Sequence, residues 1–289
     1  CDNCGAKVVL NKSETANVCP FCGTAHVTKT EELAGLKPNG ILPFKFGVEK
    51  AVAFSKKWAK SRFFAPIKFK KSLKAENVKG VYVPCFTFDS YTTSNYSGKI
   101  GITHVQRVGS GKNAKTKTWT EWKYISGTFY DNFDDVLISA GAKFDQTKLN
   151  KLSPFCTNEG EQYLENYVLG FMAYRYDYEI EDCWNVAKGI IDDRLKRAIL
   201  SQYTYDKVAY FNVSTTHERV TYKYEMLPIY VGNFTYSKKI YNFYINGENG
   251  KVWGKTPKSV IKILLVVLLG LGLIGLLVWL NMNGCFTDI

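Results

Sequence analysis

Eighteen consecutive residues, Ile263–Leu280 (ILLVVLLGLGLIGLLVWL), carry no charge. No other feature constrains the fold so strongly. A helix packed into a soluble core keeps a polar face, whereas about 20 apolar residues cross a bilayer. The run is therefore read as a transmembrane helix over 259–281, followed by a short tail, 282–289. Lys262 is placed to snorkel toward the headgroups, and Trp279 takes an interfacial position. Lys251, Lys255, Lys258 and Lys262 precede the span, and residues 281–289 hold no base. The positive-inside bias then puts the large N-terminal part in the cytoplasm. The expectation is a single-pass protein of the cell membrane. Gly270, Gly272 and Gly275 match GxGxxG formally, but a dinucleotide site follows a strand and opens a solvated helix. Inside a span such residues serve helix packing.

At the other end, Cys1-Asp-Asn-Cys4 and Cys19-Pro-Phe-Cys22 form a CxxC pair separated by 14 residues, each followed by Gly. Two residues between cysteines let both thiolates face one ion, and the Gly permits a tight turn. Four thiolates suit tetrahedral, structural Zn²⁺. A zinc ribbon over 1–29 follows, with Cys1, Cys4, Cys19 and Cys22 as ligands and the intervening residues as short strands. A disulfide pair and a rubredoxin-like iron site are the competing readings. A reducing cytoplasm disfavours the first, and the short separation disfavours the second. Cys85 and Cys183 are read as buried small apolar side chains. The chain opens on this motif without an initiator Met, and it is read as a piece of a longer protein.

Between ribbon and span, residues 30–258 alternate helical and strand patterns and predict an α+β body rich in antiparallel sheet. Val48–Lys60 and Ile180–Gln202 have helical spacing. Shorter helices are expected at Phe133–Ala140, capped by Asp131, Asp134 and Asp135, and at Glu159–Glu165. Strands are expected over 79–92, 98–108, 116–130, 215–226, 229–236 and 240–246. Pro84 implies an edge or a bulge, and Asn246–Gly250 a hairpin turn. Lys79–Ser97 and Tyr224–Tyr244 echo one another, each an apolar–Pro–strand sequence after a helix. This is consistent with a duplicated unit, with halves at about 41–130 and 165–254.

The formal net charge of +12 is concentrated. Residues 45–79 hold eleven bases and two acids, a net of +9. Lys56, Lys57, Lys60, Arg62, Lys68, Lys70 and Lys71 form its centre. Arg107, Lys112, Lys115, Lys117 and Lys123 lie among Trp119 and Trp122. Clustered bases with aromatics suit nucleic acid. On a membrane-anchored chain they suit an anionic leaflet or an acidic protein better. No catalytic set assembles. Gly254-Lys255-Thr256 lacks the first glycine of a phosphate loop, and no nucleophile signature surrounds Cys85. His104 and His217 are read as solvent-facing strand residues.

Several segments together resemble the bacterial membrane proteins described as containing a TFIIB-type zinc ribbon. They are ILPFK (41–45), GVYVP (80–84), MLPIYVGNFTY (226–236) and INGENGKVWG (245–254), bounded by the ribbon and the span. Some members are labelled primosomal or helicase-like, and many carry another ribbon upstream. One branch is tied to phage-shock envelope stress, tethering a peripheral coat protein to the membrane. The resemblance implies a membrane-anchored zinc-ribbon adaptor that binds protein partners, and the lack of a catalytic set leads to the expectation of a binding protein, not an enzyme. The alternative is a membrane-tethered nucleic-acid-binding ribbon protein.

Overall fold

The computed structural model describes residues 6, 8–9, 17–19, 21–22, 25–26, 37–71, 78–109, 115–164, 171–236 and 239–282. In chain order these form β1 (Val8–Val9), β2 (Asn17–Val18), β3 (Ala25–His26), β4 (Gly40–Ile41), α1 (Val48–Ser61), α2 (Ile67–Lys71) and β5 (Val78–Val108). Then come β6 (Lys115–Ser139), α3 (Gln146–Leu152), a 3₁₀ turn (Thr157–Glu159), β7 (Glu161–Gln162), β8 (Met172–Tyr174) and α4 (Ile180–Leu200). The chain continues through β9 (Lys207–Tyr236), β10 (Lys239–Asn246), β11 (Val252–Gly254) and α5 (Val260–Met282). The α+β class is as expected. The sheet is mixed, because β4 and β8 run parallel to the strands they join.

Two long strands, β5 and β9, pair antiparallel through the centre, from Val78↔Gly232 to Gly101↔Lys207. The outer edge of β5 takes β8 at Val81–Tyr82 and then β6 from Cys85 onward. The outer edge of β9 takes β4 at Glu225–Met226 and then β10 from Ile229 onward. Pro84 sits where β5 changes partner from β8 to β6, and Pro228 sits where β9 changes from β4 to β10. A missing N–H is tolerated at such a gap in the ladder. Each proline still accepts through its carbonyl, from Ala140 N at 3.1 Å and from Gly247 N at 2.8 Å. Pro84 is therefore inside the sheet, at a change of partner rather than at an edge.

These registers relate two β–α–β–β units. In one, β4 leads into α1, β5 and β6. In the other, β8 leads into α4, β9 and β10. Each unit's short first strand joins the other unit's long strand. The two helices bury equivalent positions: Ala51, Ser55 and Ala59 on α1, and Cys183, Ala187 and Ile191 on α4. The i, i+4, i+8 spacing puts each set on one face.

Strand alternation then divides the core. Tyr82, Phe86, Phe88, Tyr224 and Met226 lie under α4. Val78, Tyr230, Phe243 and Ile245 lie under α1. On the opposite face, Val81, Val83, Cys85, Leu227, Ile229 and Val231 pack with Phe144, Leu149 and Leu152 around α3. Ala6, Cys19 and Phe21 join this third cluster, and β1 pairs with β8. Strand β1 is thus part of the body's sheet, while β2 and β3 pair only with each other in a separate two-stranded sheet. Asn246 closes the β10–β11 hairpin from inside. Its Nδ2 donates to Leu152 O and Pro154 O, and its Oδ1 accepts from Glu248 N. Gly250 supplies the positive φ of 77° that the turn requires.

Two expected helices are absent. Residues 133–139 are the end of β6, and 159–164 hold the close of a 3₁₀ turn and the two residues of β7. The acids at 131, 134 and 135 therefore cap nothing helical. They lie beside a double irregularity. Register shifts occur at Phe88/Ser90 toward β6 and at Asp89/Tyr91 toward β9. Asp135 and Arg219 take φ of 51° and 49°. Beyond this level β6, β5 and β9 continue as a three-stranded arm. The 30 residue steps of β5, at about 3.3 Å each, amount to about 100 Å of strand.

Candidate functional site

Three regions expose chemistry. The first is the base of the molecule, where α5 leaves the body. No part of the window Val260–Leu277 is buried by the rest of the protein. This is the one described helix long and apolar enough to cross a membrane. Its first turn is held by backbone. Ser259 N donates to Phe64 O at 2.8 Å, and Lys262 Nζ donates to Phe63 O and Ala65 O at 2.9 and 3.0 Å. The expected basic residues gather in the same layer. Lys56, Lys57 and Lys60 lie on α1, Arg62 follows it, and Lys68, Lys70 and Lys71 lie on α2. Lys70 Nζ reaches Lys60 O at 3.1 Å, and Arg62 stacks over Trp58 at 5.3 Å.

The arm is the second region. One of its faces is covered by α4, where Tyr203 hydrogen-bonds Tyr96 at 2.6 Å and Trp184 packs on Phe88. The other face is open. Tyr91, Tyr130, Tyr124, Trp122 and Tyr210 are all exposed there, among Thr93, Asn95, Ser97 and Thr128. Lys99 lies 4.9 Å from the Tyr124 ring centroid and 5.8 Å from that of Trp122. Toward the tip, Trp119 stacks on His104, whose Nε2 meets Glu121 Oε2 at 2.8 Å. Arg107, Lys115, Lys117 and Lys123 lie along the same two strands, from Ile100↔Lys123 to Val108↔Lys115, and Lys112 lies outside the described residues. The two basic groups thus sit at opposite ends of β5.

The third region is the junction of body and arm. Asp89, Asp134 and Asp135 each offer an oxygen within 4.8 Å of the others. The geometry reads as a lock on the bulge. Asp89 accepts from Asp135 N at 2.9 Å and from Thr221 at 2.9 Å. Asp135 accepts from Thr157 at 2.7 Å, and Lys223 Nζ stands 3.5 Å away. Backbone N–H donation, the Thr221 hydroxyl and Lys223 outweigh burial and hold Asp89 below its ordinary range. Exposed Asp134 is pushed up by Asp135 and Asp89. Next to them Glu225 is only 4% exposed, and its Oε2 has no hydrogen-bond partner among the described residues.

His217 departs from the solvent-facing expectation. It is half-buried against Trp184 (5.3 Å) and Ser90 (3.5 Å), because α4 covers that face of β9. Burial lowers its pKa, against the opposing pull of Asp192. Cys85 and Cys183 are buried as expected, and burial drives the Cys85 thiol well above its usual value. A thiolate nucleophile there is disfavoured. Sequence reasoning missed a cleft of about 400 Å³ lined by Lys143, Lys148, Lys239 and Lys255 with Tyr244 and Trp253. Its lysines come from three separate segments, so no local run of charge announces it.

Of the four expected zinc ligands, Cys19 and Cys22 are described and Cys1 and Cys4 lie outside the described residues. Cys19 is buried and Cys22 half-buried beside Phe21. Strands β2 and β3 pair antiparallel on either side of this knuckle, Asn17↔His26 and Val18↔Ala25. Asn242 Nδ2 donates to Phe21 O at 2.9 Å, tying the knuckle to β10.

The chain is similar to the uncharacterized protein YdjG of Bacillus subtilis (strain 168). The two are 27% identical over 235 residues, which cover 79% of this chain and 67% of that protein. No family model matches the chain, and no solved structure matches it.

Proposed function

We propose that this chain is a membrane-anchored adaptor. It is fixed to the bilayer by α5 and presents the β6–β5–β9 arm to a protein partner. The observation that carries the reading is the placement of the two ends. The anchor is seated at the α1–α2 layer beside Val78. The exposed Trp119 and Trp122 lie opposite His104 and Gly101, on the far part of the same strand. Aromatic and basic side chains on a rigid element suit a contact in which a few anchors supply most of the affinity. An acidic or amphipathic protein surface fits this tip, on the cytoplasmic side given by the lysines before the span. A role in envelope stress stands on the resemblance alone.

The test is co-purification from nuclease-treated detergent extracts, with the full chain and with the Trp119→Ala/Trp122→Ala variant. Trp119 and Trp122, three residues apart on β6, face opposite sides of the arm, so the contact takes one of them. A hot-spot tryptophan contributes about 2 kcal/mol or more, and loss of the partner by about thirtyfold is expected. The same nucleic acid recovered before nuclease treatment, with no protein retained after it, supports the tethered nucleic-acid-binding reading instead.

Cys1, Cys4, Cys19 and Cys22 are proposed to hold a structural Zn²⁺. The pairing of β2 with β3 around the second knuckle supports this, as does the donor set. Metal analysis of the purified chain is expected to give one zinc per molecule and none for Cys19→Ser/Cys22→Ser. A variant that keeps its zinc rules the assignment out. Because Cys19 and Phe21 pack into the core, this variant is also expected to lower the stability of the body.

A further inference from the structure

The turn between α1 and α2 exposes a compact apolar surface. Phe63, Phe64 and Ile67 are 62%, 42% and 61% exposed. The turn is held in shape. Arg62 N donates to Ala59 O, Ala65 N donates to Arg62 O, and Ala65 and Phe69 are buried beneath it. Phe63 and Phe64 stack edge to face at 5.2 Å. This elbow is seated on the first turn of α5 through the three hydrogen bonds described above, with Lys262 also 5.7 Å from the Phe63 ring. The two phenyl rings therefore stand where the apolar helix begins, at the depth at which a snorkelling lysine meets the headgroups.

We propose that the elbow is a membrane-docking site for an anionic phospholipid leaflet. Phe63, Phe64 and Ile67 enter the boundary between headgroups and acyl chains. Lys56, Lys57, Lys60 and Lys68 lie over the phosphates. The proposal rests on the reading of α5 as a span and adds a second attachment beside it. Charge complementarity selects the occupant: these lysines and Arg62 are exposed, and Glu49 is the single acid between residues 45 and 71. Apolar side chains ringed by bases bind such a surface through burial and electrostatic attraction together. Two attachments fix the tilt of the body, and so the direction in which the arm points.

The full chain in nanodiscs of phosphatidylcholine with one-third phosphatidylglycerol tests this. A trifluoromethyl-phenylalanine probe replaces Phe63, and a second preparation carries the probe in place of Trp279. Fluorine NMR reads the broadening caused by doxyl-labelled lipid. Both probes are expected to broaden at least about twofold. In Lys56→Gln/Lys57→Gln/Lys60→Gln the broadening at position 63 is expected to fall while that at 279 persists. Broadening at 279 with none at 63 overturns the elbow and leaves the span intact. Its absence at both positions overturns the span reading itself. Equal broadening at 63 in pure phosphatidylcholine overturns the assignment to anionic lipid.

Discussion

Leu268→Lys/Leu271→Lys should release the protein from membranes. Both leucines are exposed near the middle of the apolar helix. A lysine at the centre of a span costs about 3 kcal/mol, so two cost about 6 kcal/mol, roughly a 10⁴-fold change in insertion. A buried core helix would also reject two lysines, but by unfolding its domain. Here that outcome is not expected, because none of the window is buried by the body. The expected result is a chain extracted by alkaline carbonate with the native circular dichroism of the sheet. A variant that stays carbonate-resistant contradicts anchoring by α5. One that leaves the membrane fraction only as unfolded aggregate contradicts the independence of body and span.

What could be read from the sequence was what is encoded locally. The long apolar helix α5, with α1 and α4, follows from the pattern within one segment. Ala51, Ser55 and Ala59 repeat every four residues whatever packs against them. The strands were legible as short pieces, but their continuity was not. Residues 133–140 mislead for a physical reason. Phe133, Val136, Leu137 and Ala140 fall at helical spacing, yet the first three lie on a strand covered on both faces and Ala140 just follows it. Val136 and Ile138 pack under α4 while Leu137 packs toward α3. A strand buried on both sides loses its alternation, and the bulge at Asp135 shifts its phase. The echo around Pro84 and Pro228 was visible. The exchange of β4 and β8 between the units was not, because no segment records which distant strand it will join.

The candidate sites divide in the same way. The basic stretch was legible as charge, and its central bases lie on α1, α2 and the turn between them. Its pairing with Phe63 and Phe64 against α5 depends on a contact across some 200 positions of sequence (Lys262 to Phe63). Asp134 and Asp135 were singled out for the wrong role. Their partners Asp89, Thr221 and Lys223 sit on other strands and become neighbours only through the sheet register.

That register also buries a carboxyl with a measurable consequence. Glu225 faces the same side of the sheet as Cys85, Lys223 and the Asp89–Asp135 pair. Burial raises its pKa from the usual 4.5 to about 7, with Asp135 and Asp89 adding to the rise and Lys223 opposing it. Between those two values the folded chain keeps a proton that the unfolded chain has lost. Stability from this group is therefore complete below pH 4.5 and falls as pH rises to about 7. The full loss is about 3 kcal/mol, at 1.36 kcal/mol per pKa unit, and the contribution is flat above that. Asp89 and Asp145, held below their usual values, act in the opposite sense, but only as pH falls through the acid range. Glu225→Gln keeps the shape and removes the titration. In denaturant titrations in detergent, the variant should match the parent near pH 4.5 and exceed it by up to about 3 kcal/mol at pH 8. A constant difference between variant and parent across this range would show that Glu225 is ionised in the folded protein. Lys223 would then be its counter-ion, and the bulge would hold a carboxylate in place of a neutral acid.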